Sequence, residues 1–397
     1  MVCYNLSMTT KAYRYRFYPT EEQAQLLART FGCVRYVYNW GLRLKTDAYY
    51  QEGKRLYYVD LSKQLTVLKR QPATIWLNEV SSVSLQQSLA HLDRAFLNFF
   101  EGRAKYPEFH NKHGKQSASF MTSAFRWDGQ SITLAKMKEP LAIRWSRRFS
   151  GVPSSVTVSR DAANRYHLSI LVDEATAPLP AADSQVGIDL GLTHAVILST
   201  GEKIDNPKFY RMDEKRLAKA QRRLAKKKKG SQNRTKARLK VARIHAKIAD
   251  RRNDFTHKLT TRLVHENQVI AVESLQVKNM VRNHHLSKSI ADVSWGEMVR
   301  QLEYKANWHG RTVVKIDKFY PSSKRCFDCG HIVQKMPLQV RSWACPACGE
   351  MHDRDINAAQ NVLAAGLAVL ACGEAVRPAQ KLKSKREGKL PRSRKAQ

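Results

Sequence analysis

Three acidic residues stand in sequence contexts where a carboxylate is costly to bury, and together they could hold metal ions. Asp189 lies in V-G-I-D-L-G and Glu273 in V-I-A-V-E-S-L, two short apolar runs that predict buried strands. Asp355 lies in H-D-R-D-I-N-A-A-Q-N, at the start of an alanine- and leucine-rich helical pattern. A buried carboxylate needs a cation or a hydrogen-bonding partner. One such acid alone is most simply a core or capping residue, but three match a two-metal site that cleaves phosphodiesters.

Mg²⁺ is the ion that these acids favour, because carboxylate oxygens are hard ligands and no set of histidines accompanies them. We expect two ions, with Mn²⁺ as a substitute, and Asp189 bridging both of them. One ion would activate water and the other would stabilise the leaving 3′ oxygen. Asp353 competes with Asp355 for the third position, since residues two apart on a helix face different ways and only one should bind metal.

Four cysteines form a second candidate metal site, Cys326-x-x-Cys329 and Cys345-x-x-Cys348. Their spacing is typical of one structural Zn²⁺ held by four thiolates, and a redox pair or an iron–sulfur cluster is the alternative. A closed site of four thiolates is not catalytic. We therefore expect it to fold a ribbon between the last strand and the helix that carries Asp355.

The charge of the chain favours a polyanionic partner. The 397 residues include 69 Lys and Arg against 34 Asp and Glu, a formal net charge of +35. No apolar run reaches the roughly 18 residues of a membrane-spanning helix, and the first ten residues lack the pattern of a signal peptide. Seven cysteines, an odd number with four of them clustered, indicate a reducing compartment. We expect a cytoplasmic protein without a membrane partner, starting at Met1 or at Met8.

The elements of the first half predict a small β-domain that contains an inserted block of helices. Lys11–Pro19 alternates as a half-buried strand, and Thr20–Gln23 is a capping box that opens a helix. Helical patterns continue to Phe100, and strands return between Phe120 and Val172. A linker rich in proline and alanine follows at Ala175–Asp183.

The elements of the second half predict an RNase H-like sheet. Three strands beginning with that of Asp189 precede a helical stretch, 209–264, which the basic run Lys226–Lys229 interrupts. The strand of Glu273, a helix over Ile290–His309 and a further strand follow. The order β-β-β-α-β-α-β-α, with acids on the first and fourth strands and on the last helix, is typical of that fold. The lysine run could be a solvated loop or could contact nucleic-acid phosphates.

Longer motifs in the same order resemble those of the TnpB family, transposon-encoded guide nucleases related to the type V CRISPR effectors. They are R-F-Y-P-T-x-x-Q, G-I-D-L-G, V-E-S-L, W-G-E-M-V-R-Q-L-E-Y-K-A, F-Y-P-S-S-K-R-C-x-x-C-G and C-P-x-C-G-x-x-H-D-R-D-x-N-A-A-x-N. The resemblance implies a guide RNA transcribed from the transposon end and cleavage of double-stranded DNA beside a short adjacent motif, which supports retention of the transposon. It also assigns the third acid to Asp355, directly before x-N-A-A.

The resemblance further implies two domains and a tail. The expected nucleic-acid recognition lobe is 1–180, with a wedge β-barrel at 1–19 and 118–180 and a helical recognition insert at 20–117. The expected RuvC-like nuclease domain is 181–372, with a helical hairpin at 211–265 and a zinc ribbon at 321–351. A basic tail, 373–397, is expected to be disordered.

The residues that read the adjacent motif are expected, by the same resemblance, at Tyr58 and Gln86, with Ser82 and Thr122 nearby. Ser82 and Val83 stand where some relatives carry a basic and an aromatic residue, so the motif itself is not inferred. We expect one protein chain on each guide RNA.

Other classes of protein remain as alternatives. A guided DNA-binding repressor, or an accessory factor of transposition without cleavage, predicts the loss of an acid, and all three acids are present. A tyrosine transposase would need a His-apolar-His pair, which none of the thirteen histidines forms. A Holliday-junction resolvase would need neither the first half of the chain nor the cysteines. The residues favour the guided nuclease.

Overall fold

A computed structural model describes residues 7–337 and 339–373, and these residues form two compact units. The first unit contains the described residues up to Ala177 together with Asp213–Ala249, and the second contains Pro178–Met212 and the described residues from Asp250 onward. The domain boundaries drawn from the sequence stay predictions. The basic tail expected to be disordered lies, from residue 374, outside the described residues.

The first unit is built on an antiparallel sheet into which three helices are inserted. Its elements are β1 Ser7–Tyr18, α1 Glu21–Glu52, α2 Tyr58–Leu68, α3 Ser82–Phe100, β2 Gln116–Met121, β3 Phe125–Trp127, β4 Ile132–Leu134, β5 Ala142–Arg144, β6 Pro153–Arg160 and β7 Tyr166–Thr176, with 3-10 turns at Pro72–Glu79 and Thr122–Ala124. The sheet order is β2-β6-β7-β1-β5, and β3 pairs with β4 separately. Since β1 pairs with β7, the helices lie in the chain between paired strands, as the sequence predicts.

Local sequence explains where the long helix α1 begins and ends. Thr20 Oγ1 accepts from Gln23 N at 3.3 Å while Gln23 Oε1 accepts from Thr20 N at 3.1 Å, which confirms the capping box. The helix ends at Gly53, whose φ of 65° closes a left-handed cap.

The second unit is a mixed sheet with helices on its faces. From residue 185 onward the elements of the chain are β8 Gln185–Asp189, β9 His194–Leu198, β10 Lys203–Asp205, α4 Phe209–Ala225, α5 Gln232–Glu266, β11 Val269–Glu273, α6 Val277–Met280, α7 Ser287–Val293, α8 Trp295–His309, β12 Thr312–Ile316, β13 Ser342–Ala344, β14 Met351–Asp353 and α9 Arg354–Ala371. Of these, the part of α4 and α5 within Asp213–Ala249 belongs to the first unit. The boundary between the units falls within α4 and α5. The sheet order is β10-β9-β8-β11-β12, with β8, β11 and β12 parallel. The predicted α/β class is confirmed.

The predicted single helix over Ile290–His309 is wrong, because two helices occupy this segment. Ser294 interrupts it with φ 63° and ψ 41°, a left-handed conformation that costs a serine about 1–2 kcal/mol. The break turns the chain so that both neighbours of Ser294, Val293 and Trp295, are buried in the core. Burying two large apolar side chains outweighs the backbone cost.

Two glycines let α9 lie directly on the sheet. A Cβ at Gly187 of β8 would lie 2.1 Å from the backbone oxygen of Ala359 and 2.6 Å from the backbone nitrogen of Leu363. At Gly366 of α9, a Cβ would lie 2.6 Å from the Cβ of Ala271 in β11. Only glycine permits this approach, which sets the distance from the helix to the strands that carry the acids. Among the residues that the structure describes, no helix combines the length and apolarity of a transmembrane span.

Candidate active site

Two neighbouring parallel strands each end on an acid. The register pairs Val272 of β11 with Ile188 of β8, so the next residues, Glu273 and Asp189, lie side by side. Val272 and Ile188 are fully buried, whereas both acids are half-buried. The strand ends therefore present two carboxylates at the rim of the core.

Asp355, in the first turn of α9, completes a group of three carboxylates. All three acids line one cavity of about 760 Å³. Burial, which is the largest cause, and the carboxylates of Glu273 and Asp355 together raise the pKa of Asp189 to about 7, while the Leu190 amide and Arg354 act to lower it. A divalent cation among these oxygens would remove the repulsion that raises this pKa. The structure thus brings together the three acids that the sequence singled out.

The ribbon segment contacts two of these acids. Ser322, which is 6% exposed, donates from Oγ to Oε1 of Glu273 at 2.5 Å. Nη1 of Arg341 lies 3.5 Å from Oδ1 of Asp355. One oxygen of Glu273 is therefore occupied by a hydrogen bond, which restricts the orientation of the carboxylate.

Asp353 is not a helical residue, which corrects the premise on which it competed with Asp355. It is the N-cap of α9, and its Oδ1 accepts from the backbone nitrogens of Asp355 and Ile356 at 3.1 Å each. Its other oxygen lies 2.5 Å from Nζ of Lys203. Burial acts to raise the pKa of Asp353, but the Lys203 contact and the cap hydrogen bonds hold it below its ordinary value. These partners occupy Asp353 and leave Asp355 facing the cavity.

The four cysteines converge as their spacing predicts. Their sulfur atoms all lie within 4.8 Å of one another: Cys326, Cys329, Cys345 and Cys348. Two of the sulfur–sulfur distances are 3.7 Å and 3.5 Å. A tetrahedral zinc with bonds of about 2.3 Å requires about 3.8 Å between sulfurs, so the donor type and the spacing both fit Zn²⁺. Gly330 and Gly349, with φ of 76° and 77°, close the two knuckles.

A histidine that the sequence did not single out lies beside this cluster. Nε2 of His352 is 3.0 Å from Sγ of Cys326, and Oδ2 of Asp328 is 3.7 Å from the same ring nitrogen. His352 is buried on β14, one residue before the N-cap of α9. An imidazole N–H at this distance can donate to a thiolate and stabilise its charge.

Two asparagines that the sequence did not single out join the ribbon to α9. Asn357 and Asn361 are 1% and 2% exposed. Their Nδ2 atoms donate to the backbone oxygen of Arg325 at 2.8 Å and 2.6 Å, and to that of Ser322 at 3.4 Å and 3.0 Å. Oδ1 of Asn357 accepts from the backbone nitrogen of Phe327 at 2.9 Å. The available signal was the spacing of four residues in N-A-A-x-N, which puts both amides on one helix face.

The residues expected to read the adjacent motif lie in the first unit. Ser82 and Gln86 are exposed and four residues apart on α3, so they share one face. Thr122 is exposed in the 3-10 turn that packs against α3, and Tyr58 is half-buried at the start of α2. Their role in binding DNA stays a prediction.

Three family models match separate segments of the chain. The model of OrfB from IS605 elements, described as "Probable transposase", matches residues 167–284. A model described as "Cas12f1-like, TNB domain" matches 295–362, and one described as "Helix-turn-helix domain" matches 8–54. In this last segment the chain has one strand and one continuous helix, β1 and most of α1.

Two curated proteins are similar over nearly the whole chain. A protein of Streptomyces pristinaespiralis, "Putative RNA-guided DNA endonuclease", is 53% identical over 376 residues, which cover 94% of this chain and 93% of the relative. An Escherichia coli (strain K12) protein, "Putative RNA-guided DNA endonuclease InsQ", is 34% identical over 391 residues, 94% of this chain and 96% of the relative. A "Cas12f1-sgRNA-target DNA complex" solved by cryo-EM superposes with a TM-score of 0.55 at 13% identity, covering 89% of this chain and 98% of that chain. At this low identity, the superposition shows a similar fold and nothing further.

Proposed function

The chain belongs to the TnpB family of transposon-encoded RNA-guided DNA endonucleases, and on that premise we propose that Asp189, Glu273 and Asp355 are its DNA-cleaving centre. The observation that carries this proposal is the convergence of the three carboxylates, from β8, β11 and α9, in one cavity. The raised pKa of Asp189 supports it, because strongly perturbed acids in a cleft mark functional sites.

The donor set fits hard divalent cations. It contains carboxylate oxygens only, which suit Mg²⁺ and Mn²⁺. Two bound ions would supply Lewis-acid activation of water and of the leaving 3′ oxygen. Asp189, whose pKa responds to both other acids, would hold these ions together with Glu273 and Asp355. The Ser322 hydroxyl holds Oε1 of Glu273 and leaves Oε2 available to a metal ion.

Basic side chains of the same cavity suit a phosphodiester substrate. The cavity is lined by Lys318, Lys324, Arg341 and Arg354. Positive charge around acid ligands attracts the phosphate backbone and compensates negative charge as the bond breaks. The four cysteines complete the proposal as a structural Zn²⁺ site, whose ribbon holds the start of α9 through Asn357 and Asn361.

The finer architecture is also part of the proposal. The sheet β10-β9-β8-β11-β12 with α9 corresponds to a RuvC nuclease core, and β1 with β2 and β5–β7 to a wedge β-barrel. The inserted helices α1–α3 would form the recognition bundle, in which Tyr58, Ser82, Gln86 and Thr122 read the adjacent motif. A net charge of +35 supports a structured guide RNA and target DNA as partners. One chain per RNA is proposed.

The function is tested by reprogramming the guide. The chain is purified with the RNA that accompanies it, the RNA is sequenced, and its guide segment is replaced. With Mg²⁺ present, cleavage should move to the DNA that matches the new segment without any change in the protein, because base pairing reads the sequence. If RNA-free protein cuts a defined DNA sequence with Mg²⁺ alone, a sequence-specific endonuclease replaces this proposal. Guided binding without cleavage would favour a repressor.

A further inference from the structure

The cavity that holds the three acids also has an apolar wall that phosphate and metal chemistry do not require. Phe319, between β12 and the ribbon, lines it with 79% of the residue exposed. Leu286, between α6 and α7, lines the same cavity with 42% exposed. An exposed phenylalanine forgoes the hydrophobic stabilisation that burial would contribute. Two apolar side chains facing one charged cavity therefore indicate a ligand with an apolar face.

Hydrogen bonds to Asp317 order the backbone that carries the Phe319 ring. Oδ1 of Asp317 accepts from the Phe319 nitrogen at 2.7 Å, and the Asp317 backbone oxygen accepts from the Tyr320 nitrogen at 3.2 Å. Asp317 itself directly follows β12. Nζ of Lys318 lies 4.4 Å from the centroid of the Phe319 ring, where it interacts with the π face. The loop thus presents an aromatic ring and an adjacent positive charge to the cavity.

We propose that Phe319 stacks on an unpaired nucleobase beside the scissile phosphate, while Lys318 contacts a phosphate of the same strand. The proposal rests on the nuclease function proposed above. A base inside a duplex is covered on both faces by its neighbours, so only an unpaired base can offer a face to this ring. Stacking is tolerant of sequence, because every base has a π face. Such a subsite holds any sequence, which suits an enzyme whose target is chosen by the guide.

The subsite makes the cleaved strand single-stranded at the reacting phosphate. The acids select for phosphate and metal and are indifferent to pairing, whereas the ring selects for an accessible base. Phe319 therefore acts as a positioning residue for the nucleotide next to the bond that breaks. Leu286 provides a second apolar contact from another loop of the same unit.

The test measures cleavage by the full chain with its guide RNA in single-turnover conditions. Phe319→Ala should slow cleavage about 5- to 160-fold, the range given by stacking of one base, and Phe319→Trp should restore the rate. Phe327→Ala is the matched control, because this aromatic residue is 43% exposed and is not among the residues that line the cavity. The substitution keeps the hydrogen bond from the backbone nitrogen of residue 327 to Asn357. It should cleave at the wild-type rate.

A series of substrates, each with one abasic nucleotide at a different position of the cleaved strand, separates stacking from a structural role. At one position it should slow the wild type as much as Phe319→Ala does, and it should slow Phe319→Ala no further, since both changes remove the same contact. If Phe319→Ala slows cleavage of every abasic substrate by the same factor, or does not slow cleavage at all, the proposal is overturned.

A binding measurement makes failure of this proposal distinguishable from failure of the nuclease function. In the Asp189→Asn complex, 2-aminopurine at the sensitive position should be quenched by the Phe319 ring and brighter with Phe319→Ala. Equal fluorescence would overturn the stacking proposal whether or not the wild type cleaves. Absence of cleavage by the wild type would instead contradict the proposed function.

Discussion

The second unit contains two candidate metal sites that differ in what positions their ligands. The acids stand at the ends of β8 and β11 and at the start of α9, above a core of fully buried strand residues. The cysteines stand on two knuckles beside strands of only three residues, with a small core of Cys326, Trp343 and Cys345. The first site is preorganised by packing, whereas the second has little apolar burial of its own, so we expect its fold to depend on a bound ion. An open site suits chemistry and a closed one suits structure.

The two sites are nevertheless joined by one short segment. Ser322 donates to Glu273 through its side chain, while its backbone oxygen accepts from Asn357 and Asn361. Disorder in the ribbon should therefore reach the acids through this segment and through α9. The four changes below test the comparison, from the largest expected effect to the smallest.

Removing an oxygen ligand should have the largest effect. Asp189→Ala, Glu273→Ala and Asp355→Ala should each lower the cleavage rate by about 10³-fold or more, because the remaining acids cannot hold the reacting centre. Guided DNA binding should stay nearly intact, since affinity comes from the basic surface. Asp353→Ala should keep substantial activity. Cleavage assays and binding measurements on the same preparations decide this, and a mutant that still cuts removes its residue from the centre.

Removing a sulfur ligand should act indirectly. We expect one zinc per chain in the wild type and its loss in Cys345→Ser, with local unfolding of the ribbon and cleavage lowered roughly 10- to 100-fold. Elemental analysis measures the metal, and limited proteolysis within residues 321–351 follows the ribbon. Cys372→Ser is the control, because this exposed thiol lies just after α9, outside the cluster. Zinc-free protein with full activity would contradict the coupling between the sites.

Removing the hydrogen bond between the sites should have a smaller effect. Ser322→Ala frees Glu273 to change orientation, and we expect about a 10-fold loss of rate together with a higher Mg²⁺ concentration at half-maximal rate. Ser322→Thr should restore both values. Ser323→Ala, the neighbouring residue, should leave them unchanged. Equal losses in the two alanine variants would show that the Ser322 hydroxyl has no special role.

The effect of pH on stability should be the most modest. Asp189 has its folded pKa raised to about 7, so the proton contributes stability that is present below about pH 4 and is lost as the pH rises through 7. Mg²⁺ replaces that proton, so the melting temperature should rise more on adding Mg²⁺ at pH 8 than at pH 6. Asp189→Asn should remove the difference. Thermal melts in chelator and in Mg²⁺ measure the shift in melting temperature. Equal shifts at pH 6 and pH 8 would count against metal binding at Asp189.

Local sequence patterns predicted much of the candidate site. An apolar run that ends in an acid predicts a strand that ends at the surface of a core, which is where Asp189 and Glu273 lie. The spacing of the cysteines predicts their convergence, since each pair lies on one short turn. The capping box at Thr20 is likewise read from four consecutive residues. Each of these features depends on neighbours in the sequence, so the sequence by itself determined it.

Contacts between distant segments were decided by the tertiary structure. In the sequence, Gly187 is an ordinary strand glycine. Only the structure shows that α9 packs against it, through Ala359, which is 172 residues later in the chain. Asp353 lies against Lys203, which is 150 residues earlier in the chain, and Ser322 is a partner of Glu273 because the ribbon folds back. Ser294 took a left-handed conformation because two flanking side chains are buried. These outcomes depend on which surfaces meet in space, and no local pattern contains that information.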